Sequence, residues 1–411
     1  MYLWTVVEAL KYPAYFSWVL WCSLLVIGFQ GFFYRVHRSQ VLANNVEFVI
    51  VSIGSRNVRC SLFETIKHTA LSFPQVPLYV VVEQDSELLG ELENLITSDY
   101  LIPIRDAIAT YTTTLRSSSK PMIEIVAVPK KYRPDLIAKG RAINYFIENY
   151  VVTSKWYTFL DDDDLILDDN FLYEISYYGP RGYVACNPIL TTRKGKSNLT
   201  YVMDNMRIFD DFSIFRLFTG LLHTPLLGLH GEALTVKGSV LKVIGYGRRT
   251  ITEDFSFARE IIKGKKTYKD MKTWQSSTRV SIRSANRVHD LLRQRARWFK
   301  GIFLDLEDSP TSMKIITGAR MALWTVSIFG SWALSPLWSY WLNANIWFYL
   351  FFIGGVTPWL VFIVLILKKR RSQPWYFILF VPIYGIIESL TPWFALVHER
   401  KNCSFYVIDK N

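Results

Sequence analysis

Four consecutive carboxylates follow an apolar run in Phe159-Leu160-Asp161-Asp162-Asp163-Asp164-Leu165. Carboxylates crowded at the end of a buried strand cost free energy unless a positive charge sits among them. A hard divalent cation with oxygen ligands is the natural partner, and Mg²⁺ or Mn²⁺ would recruit one or two carboxylates plus phosphate oxygens. Side chains i and i+2 of a strand share a side. Asp161 and Asp163 are therefore expected to face the cation together, with Asp162 reaching a ligand hydroxyl. A solvated acidic turn before the next helix is the plainer alternative. A second acidic pair lies in Thr252-Glu253-Asp254, just before a helical stretch. It is either a helix cap favoured by the dipole or a general base that takes a proton from a hydroxyl.

Two basic groups carry complementary chemistry. Gln294-Arg295-Ala296-Arg297-Trp298 lies on an expected helix over 286–306. Arginine forks bind phosphate in bidentate fashion and an indole offers a flat stacking surface, although a basic interfacial helix on anionic lipid accounts for the same residues. In Ala138-Lys139-Gly140-Arg141-Ala142-Ile143-Asn144, Lys139 and Arg141 stand at a loop-to-helix junction, where a helix start attracts anions. Solvated surface charge is the alternative there.

The elements that would position these groups alternate. Val46–Gly54, Leu78–Val82, Ile123–Val128 and Trp156–Leu160 read as buried strands, and Ser61–Ser72 and Ile137–Tyr150 as helices. Such alternation predicts a parallel α/β sheet with ligands at the carboxyl ends of its strands. Segment 88–119 fits neither period and reads as an insertion.

Aromatic and aliphatic residues are not spread evenly through the 411 residues, which hold 27 Phe, 23 Tyr and 14 Trp. Uncharged Tyr15–Tyr34 is long enough to cross a bilayer, and lacks the small-residue cleavage site of a signal peptide. Three more candidate spans lie at Ala319–Tyr340, Ile346–Leu367 and Pro374–Val397, the last interrupted by prolines and carrying Glu388. His37-Arg38 and Lys368-Lys369-Arg370-Arg371 put the middle domain on the cytosolic side. The net charge of +12 suits acidic lipid or a nucleotide diphosphate. The basic residues are scattered and form no recognised module, so no nucleic acid is expected. Cys22, Cys60, Cys186 and Cys403 lack zinc-site spacing and read as reduced thiols.

Taken in order, the run of aspartates, Thr-Glu-Asp and Gln-x-x-Arg-Trp, flanked by apolar helices, resemble the membrane-bound, inverting family 2 glycosyltransferases of GT-A fold. Cellulose and hyaluronan synthases share these motifs, here over residues 46–305. Val128-Pro129-Lys130-Lys131-Tyr132, Leu222-His223-Thr224-Pro225-Leu226 with Gly231, and Gly301-Ile302 add a likeness to the egghead-type β-1,4-mannosyltransferases, which act on a glycolipid. Asp162 and Asp163 depart from that group, standing where glutamates are expected, and His230 replaces an aromatic residue.

The resemblance implies an α/β GT-A domain with a Rossmann-like mixed sheet and about four transmembrane helices. Its expected divisions are 1–40 (membrane helix), 41–285 (cytosolic catalytic domain), 286–316 (interfacial helix), 317–400 (membrane helices) and 401–411 (tail). It gives Ser55, Arg56, and Glu83 or Asp85 to the nucleotide base and ribose, with Lys139 and Arg141 as further donor contacts. Asp161 and Asp163 hold Mg²⁺ or Mn²⁺, with Asp162 near the sugar. Asp254 is the base, beside Glu253, and Gln294, Arg297 and Trp298 meet the diphosphate and acceptor end. The implied reaction moves a hexose from GDP-mannose or a UDP-sugar to a lipid-linked or glycan acceptor among membrane lipids. A processive polysaccharide synthase is the alternative.

Overall fold

The computed structural model describes residues 2–97, 122–136, 138–247, 250–265, 267, 271–331 and 380–398. It divides into two compact units. One holds Arg35–Thr191 and His223–Arg283, the other Met1–Tyr34, Thr192–Leu222 and Ser284–Ile408.

The first unit is built on an eight-stranded sheet. In chain order its elements are β1 (Val46–Val51), α1 (Arg59–Ser72), β2 (Leu78–Glu83), α2 (Leu89–Thr97), β3 (Ile123–Val128), α3 (Ala138–Asn149), β4 (Trp156–Leu160), β5 (Leu165–Ile166), α4 (Asn170–Tyr178), β6 (Tyr183–Arg193), β7 (Leu234–Lys237), α5 (Gly238–Ile244), α6 (Glu253–Gly264) and β8 (Lys272–Arg283). The strand order is β3-β2-β1-β4-β7-β6-β8-β5. β3, β2, β1 and β4 run parallel, whereas β7 is antiparallel to β4 and β6 to β7. Every residue of β1 and of β4 is buried, which is why these strands read as unbroken apolar runs. The expected parallel half is therefore present, joined to an antiparallel half. Of segment 88–119, Leu88 is a buried turn residue, Leu89–Thr97 is helical and 98–119 lie outside the described residues.

One buried carboxylate inside the antiparallel half is satisfied by neighbouring donors. Glu174 on α4 is fully buried and accepts from Trp274 Nε1 and from the Ser277 backbone N–H, both at 3.0 Å. The Trp274 ring stacks on Tyr178 at 5.0 Å and meets Trp156 edge-on at 5.8 Å. A buried carboxylate keeps its cost down only while such donors are in place.

In the second unit the N-terminal helix Tyr2–Phe29 continues as a 3₁₀ turn, Gln30–Phe33. Its last turns lie against an unusual π-helix, Asp211–Leu221, and a Cβ added at Gly28 would meet Ile214 at 2.8 Å. Helices Asn198–Asn205, Arg207–Asp210, Val288–Leu306, Thr311–Val326 and Phe380–His398 are its other described helices. Among the described residues one helix, Trp4–Phe33, is long and apolar enough to cross a membrane, with mean hydropathy 1.7. Of the four spans expected from the sequence this is the one found among the described residues, where Ile383–Val397 is an apolar helix of shorter length. The candidate at 346–367 lies outside the described residues, as do parts of 319–340 and 374–397.

Replacing Trp274 by Ala removes the stacked indole and leaves Glu174 short of a donor. A loss of about 3–5 kcal/mol is expected, lowering the thermal midpoint of the full chain in detergent by on the order of 10 °C. An unchanged midpoint in near-UV circular dichroism would contradict this account of the core.

Candidate active site

The carboxyl ends of the four parallel strands carry most of the residues singled out from the sequence. After β1 the chain turns at Gly54, whose φ of +65° favours glycine. The Gly54 carbonyl accepts from Ser86 Oγ at 2.9 Å and from Leu88 N–H at 3.1 Å, so the loops after β1 and β2 are stitched together. Ser55 and Arg56 follow on the β1 side, where the Arg56 N–H donates to Glu87 at 2.8 Å. Glu83 ends β2 and meets Arg141 Nη1 at 3.2 Å. Burial raises the Glu83 carboxyl above its usual range and Asp85 adds to this, against the pull of Arg141. Asp85 itself is exposed, 3.4 Å from Lys130 Nζ.

Arg141 donates its Nε–H to the Tyr132 carbonyl at 2.8 Å and Nη2 to the Pro129 carbonyl at 2.7 Å. With Glu83 as a third partner, its guanidinium fixes the loop after β3. Two turns of the same helix tie it to the segment before α6. Asn144 Oδ1 accepts from Tyr246 N–H at 3.1 Å, and a Cβ on Gly140 would lie 2.7 Å from the Gly247 carbonyl. Gly247, at φ +42°, packs directly on Glu253. The motif Lys139–Asn144 thus brings the start of α3 to the start of α6.

The aspartate run departs from the strand geometry expected for it. β4 ends at Leu160 and residues 161–164 form a turn, closed by Asp164 N–H on the Asp161 carbonyl at 3.3 Å. Alternation of side chains stops with the strand. Asp161 pairs with Lys139 Nζ, Asp162 Oδ2 accepts from Ser52 Oγ at 3.2 Å, and Asp163 Oδ2 from Arg283 N–H at 3.1 Å. Asp164 Oδ2 accepts from Asp161 N–H at 2.8 Å and from Ala233 N–H at 3.2 Å, while its buried Oδ1 has no hydrogen-bond partner. Burial raises the Asp164 carboxyl far above the usual range, helped by Asp161, Asp163 and Glu232. Burial alone would lower the Lys139 ammonium, but Asp161, Glu253 and Asp162 outweigh it and hold it above the ordinary lysine range.

Glu253 and Asp254 form the first turn of α6. Asp254 Oδ1 accepts from Phe255 N–H at 2.8 Å, and the backbone of Gly231 passes close enough that a Cβ there would sit 3.6 Å from Asp254 Oδ2. Burial, then the charges of Glu253 and Glu232, push the Asp254 carboxyl up to about 7, with Phe255 N–H and His230 pulling the other way. Such a group changes protonation near neutrality, as a general base must. Sequence reasoning gave Asp164 and Glu232 no role, although the charge of Glu232 is felt at both Asp164 and Asp254. Its only sequence signal was an acid beside a glycine in the loop before β7.

The acidic excess and the unpartnered Asp164 oxygen fit a cation beyond Lys139. Among the described residues no group of three or more His, Cys, Asp or Glu side chains is drawn into a coordination set.

Gln294, Arg297 and Trp298 stand on helix Val288–Leu306 of the second unit. Trp298 lies beneath two guanidinium groups of that unit, Arg295 with Cζ 4.4 Å from the ring centroid and Arg207 with Cζ at 4.9 Å.

Comparison with known proteins agrees with these motifs. The family model described as Glycosyl transferase family group 2 matches residues 156–384, more than half of the chain. β-1,4-Mannosyltransferase bre-3 of Caenorhabditis briggsae is 25% identical over 227 residues, 53% of this chain and 48% of that protein. β-1,4-Mannosyltransferase egh of Drosophila melanogaster is 25% identical over 229 residues, 52% of this chain and 47% of that protein. The chain therefore spans about half the length of the curated relatives it matches. Among solved structures, the mannosyltransferase PcManGT of Pyrobaculum calidifontis, in complex with GDP-Man and Mn²⁺, has a TM-score of 0.51 at 11% identity. That likeness covers 95% of this chain and 98% of that chain, and at such identity it is one of fold. Because the family match takes in the acidic turn, Thr252-Glu253-Asp254 and Gln-x-x-Arg-Trp, the protein belongs to glycosyl transferase family group 2.

Proposed function

We propose that the protein transfers mannose from GDP-mannose to a hydroxyl of a membrane-associated glycolipid or glycan, forming a β-glycoside by a single inverting displacement. The observation that carries this reading is Asp254, a half-buried carboxyl at a helix start whose proton affinity is raised to about 7. Names of the sequence relatives support mannose and a β-1,4 linkage, and the GDP-Man bound to the structural relative supports the donor. A UDP-hexose is the alternative donor. Relatives named as mannosyltransferases do not favour the processive synthase reading.

Asp254 accepts the proton of the acceptor hydroxyl while that oxygen forms a bond to the anomeric carbon. The bond from that carbon to the phosphate oxygen breaks, and the nucleoside diphosphate leaves with the electron pair. Ser55, Arg56, Glu83 and Asp85 are proposed to hold the base and ribose from the stitched loops, with Arg141 fixing Glu83. Lys139, already beside the acidic turn, is proposed to turn to the diphosphate. Asp161 and Asp163 would hold Mg²⁺ or Mn²⁺, which supplies Lewis-acid stabilisation of the leaving group when bound. Gln294, Arg297 and Trp298 are assigned to the diphosphate and acceptor end by the family resemblance. The sheet unit is proposed to face the cytosol, anchored by helix Trp4–Phe33 and further apolar segments.

Asp254→Asn is expected to lower turnover by about 10²–10⁴ while titration calorimetry shows donor nucleotide still bound. Retained turnover would remove Asp254 from this role. Because the ionised carboxylate is the active form, kcat/KM should rise about tenfold per pH unit below about 7 and level off above it. A flat profile from acid to neutral pH would point to another base. Chelation with EDTA should stop nucleoside diphosphate release, and added Mn²⁺ or Mg²⁺ should restore it. Full rate in chelator would remove the metal from the proposal.

A further inference from the structure

Glu388 stands out in sequence as an acid inside an apolar segment, and nothing in the proposed reaction uses it. It lies on helix Phe380–His398, whose backbone is held at that point by Trp324 Nε1 on the Glu388 carbonyl at 2.9 Å. Its Oε2 is 3.8 Å from Nε of Arg295, the residue after Gln294 in the Gln-x-x-Arg-Trp helix. The same guanidinium is held by Asp204 of helix Asn198–Asn205, with Nη2 donating to Oδ1 at 2.7 Å, whereas Arg295 Nε and Glu388 Oε2 face each other as an ion pair without a hydrogen bond. Arg295 and Asp204 are each only 5% exposed.

A guanidinium is a rigid plane. The hydrogen bond from Nη2 to Asp204 restricts its roll about the side-chain axis, and the Glu388 carboxylate 3.8 Å from Nε adds a non-directional attraction on the same group. What remains is a face, and that face lies 4.4 Å from the Trp298 ring centroid. Buried ion pairs return little net stability once desolvation is counted, so bundle cohesion alone explains this arrangement poorly. Orientation of the indole explains it better.

We infer that Arg295, clamped between Asp204 and Glu388, is a positioning residue that sets the angle of the Trp298 ring. Any effect on turnover rests on the proposed role of Trp298 at the acceptor end; the clamp itself does not. Lysine at 295 would keep the charge near Asp204 but present no plane, and glutamine at 388 would keep shape while removing one carboxylate.

The test uses the full chain in lipid and detergent, labelled with 5-fluorotryptophan, with Trp298→Phe identifying the Trp298 fluorine resonance. In Arg295→Lys and in Glu388→Gln that resonance should shift or broaden, while that of Trp274 stays in place and the thermal midpoint holds. Glu388→Asp should return it toward its original position. An unmoved Trp298 resonance, or resonances that all move together with a falling midpoint, would overturn the inference. Nucleoside diphosphate release from GDP-mannose is then measured on the same samples, where a three- to tenfold loss is expected from weakening one cation–aromatic contact, about 0.7–1.4 kcal/mol. A moved resonance with unchanged turnover would keep the clamp and remove Trp298 from the reaction. Turnover falling in Trp298→Phe but not in the clamp variants would keep Trp298 and reject a catalytic consequence of the clamp.

Discussion

Negative charge buried at the mouth of a hydrophobic strand is the constraint on which the sheet unit depends. Asp161 to Asp164 emerge from β4 where every preceding side chain is buried, and Glu232, Glu253 and Asp254 add their fields. Each of the four aspartates has at least one donor, which offsets part of this cost. The donors come from elements far apart in sequence: Ser52 after β1, Lys139 at the start of α3, Ala233 before β7 and Arg283 at the end of β8. Balancing this charge therefore draws strands from both halves of the sheet to one edge, while burial first, then the charges of Glu253 and Glu232, raise the proton affinity of Asp254.

The parallel half of the sheet was plain in the sequence because its strands are buried on both faces and so read as continuous apolar runs, with β3 and the start of β4 falling where the pattern put them. The antiparallel half was not. β8 carries Thr273, Gln275, Ser276 and Thr278 in buried positions, which destroys any apolar period. Their burial is stabilised by partners invisible locally, such as Gln275 Nε2 on the Pro188 carbonyl at 2.8 Å and Thr278 Oγ1 receiving the Phe171 N–H at 2.7 Å. At the candidate site, residue types announced the acids and bases, but their directions depended on where β4 stopped. The turn at 161–164 sends neighbouring aspartates to different partners, and a one-residue change in strand end would have done otherwise. Arg141 illustrates the same limit, since its residue type at a helix start gives no sign of the Tyr132 and Pro129 carbonyls to which it donates.

In the second unit, the pattern of polar residues among apolar ones has a physical order. Charged side chains occur where helices meet and are paired there, as with Arg320 and Asp210 or Arg295 and Asp204. Glycines occur where the N-terminal helix approaches the π-helix most closely. Low-dielectric packing strengthens each such pair and penalises each orphan, so a small number of polar contacts defines helix register in a bundle whose apolar faces would tolerate several.

The seam between Gly54 and Ser86 has a consequence for how such a protein can diverge. The loops after β1 and β2 are joined by side-chain and backbone bonds, and any side chain at 54 would collide with Ser86. Mutations that alter one loop are filtered through the other, so the two segments would be inherited as a linked pair. Across descendants of this chain, positions 54–56 and 86–88 should covary, while Lys139 and the acidic turn drift on a separate schedule. Under the proposed role of these loops in holding the base and ribose, nucleotide preference would then change in coordinated steps rather than by single replacements.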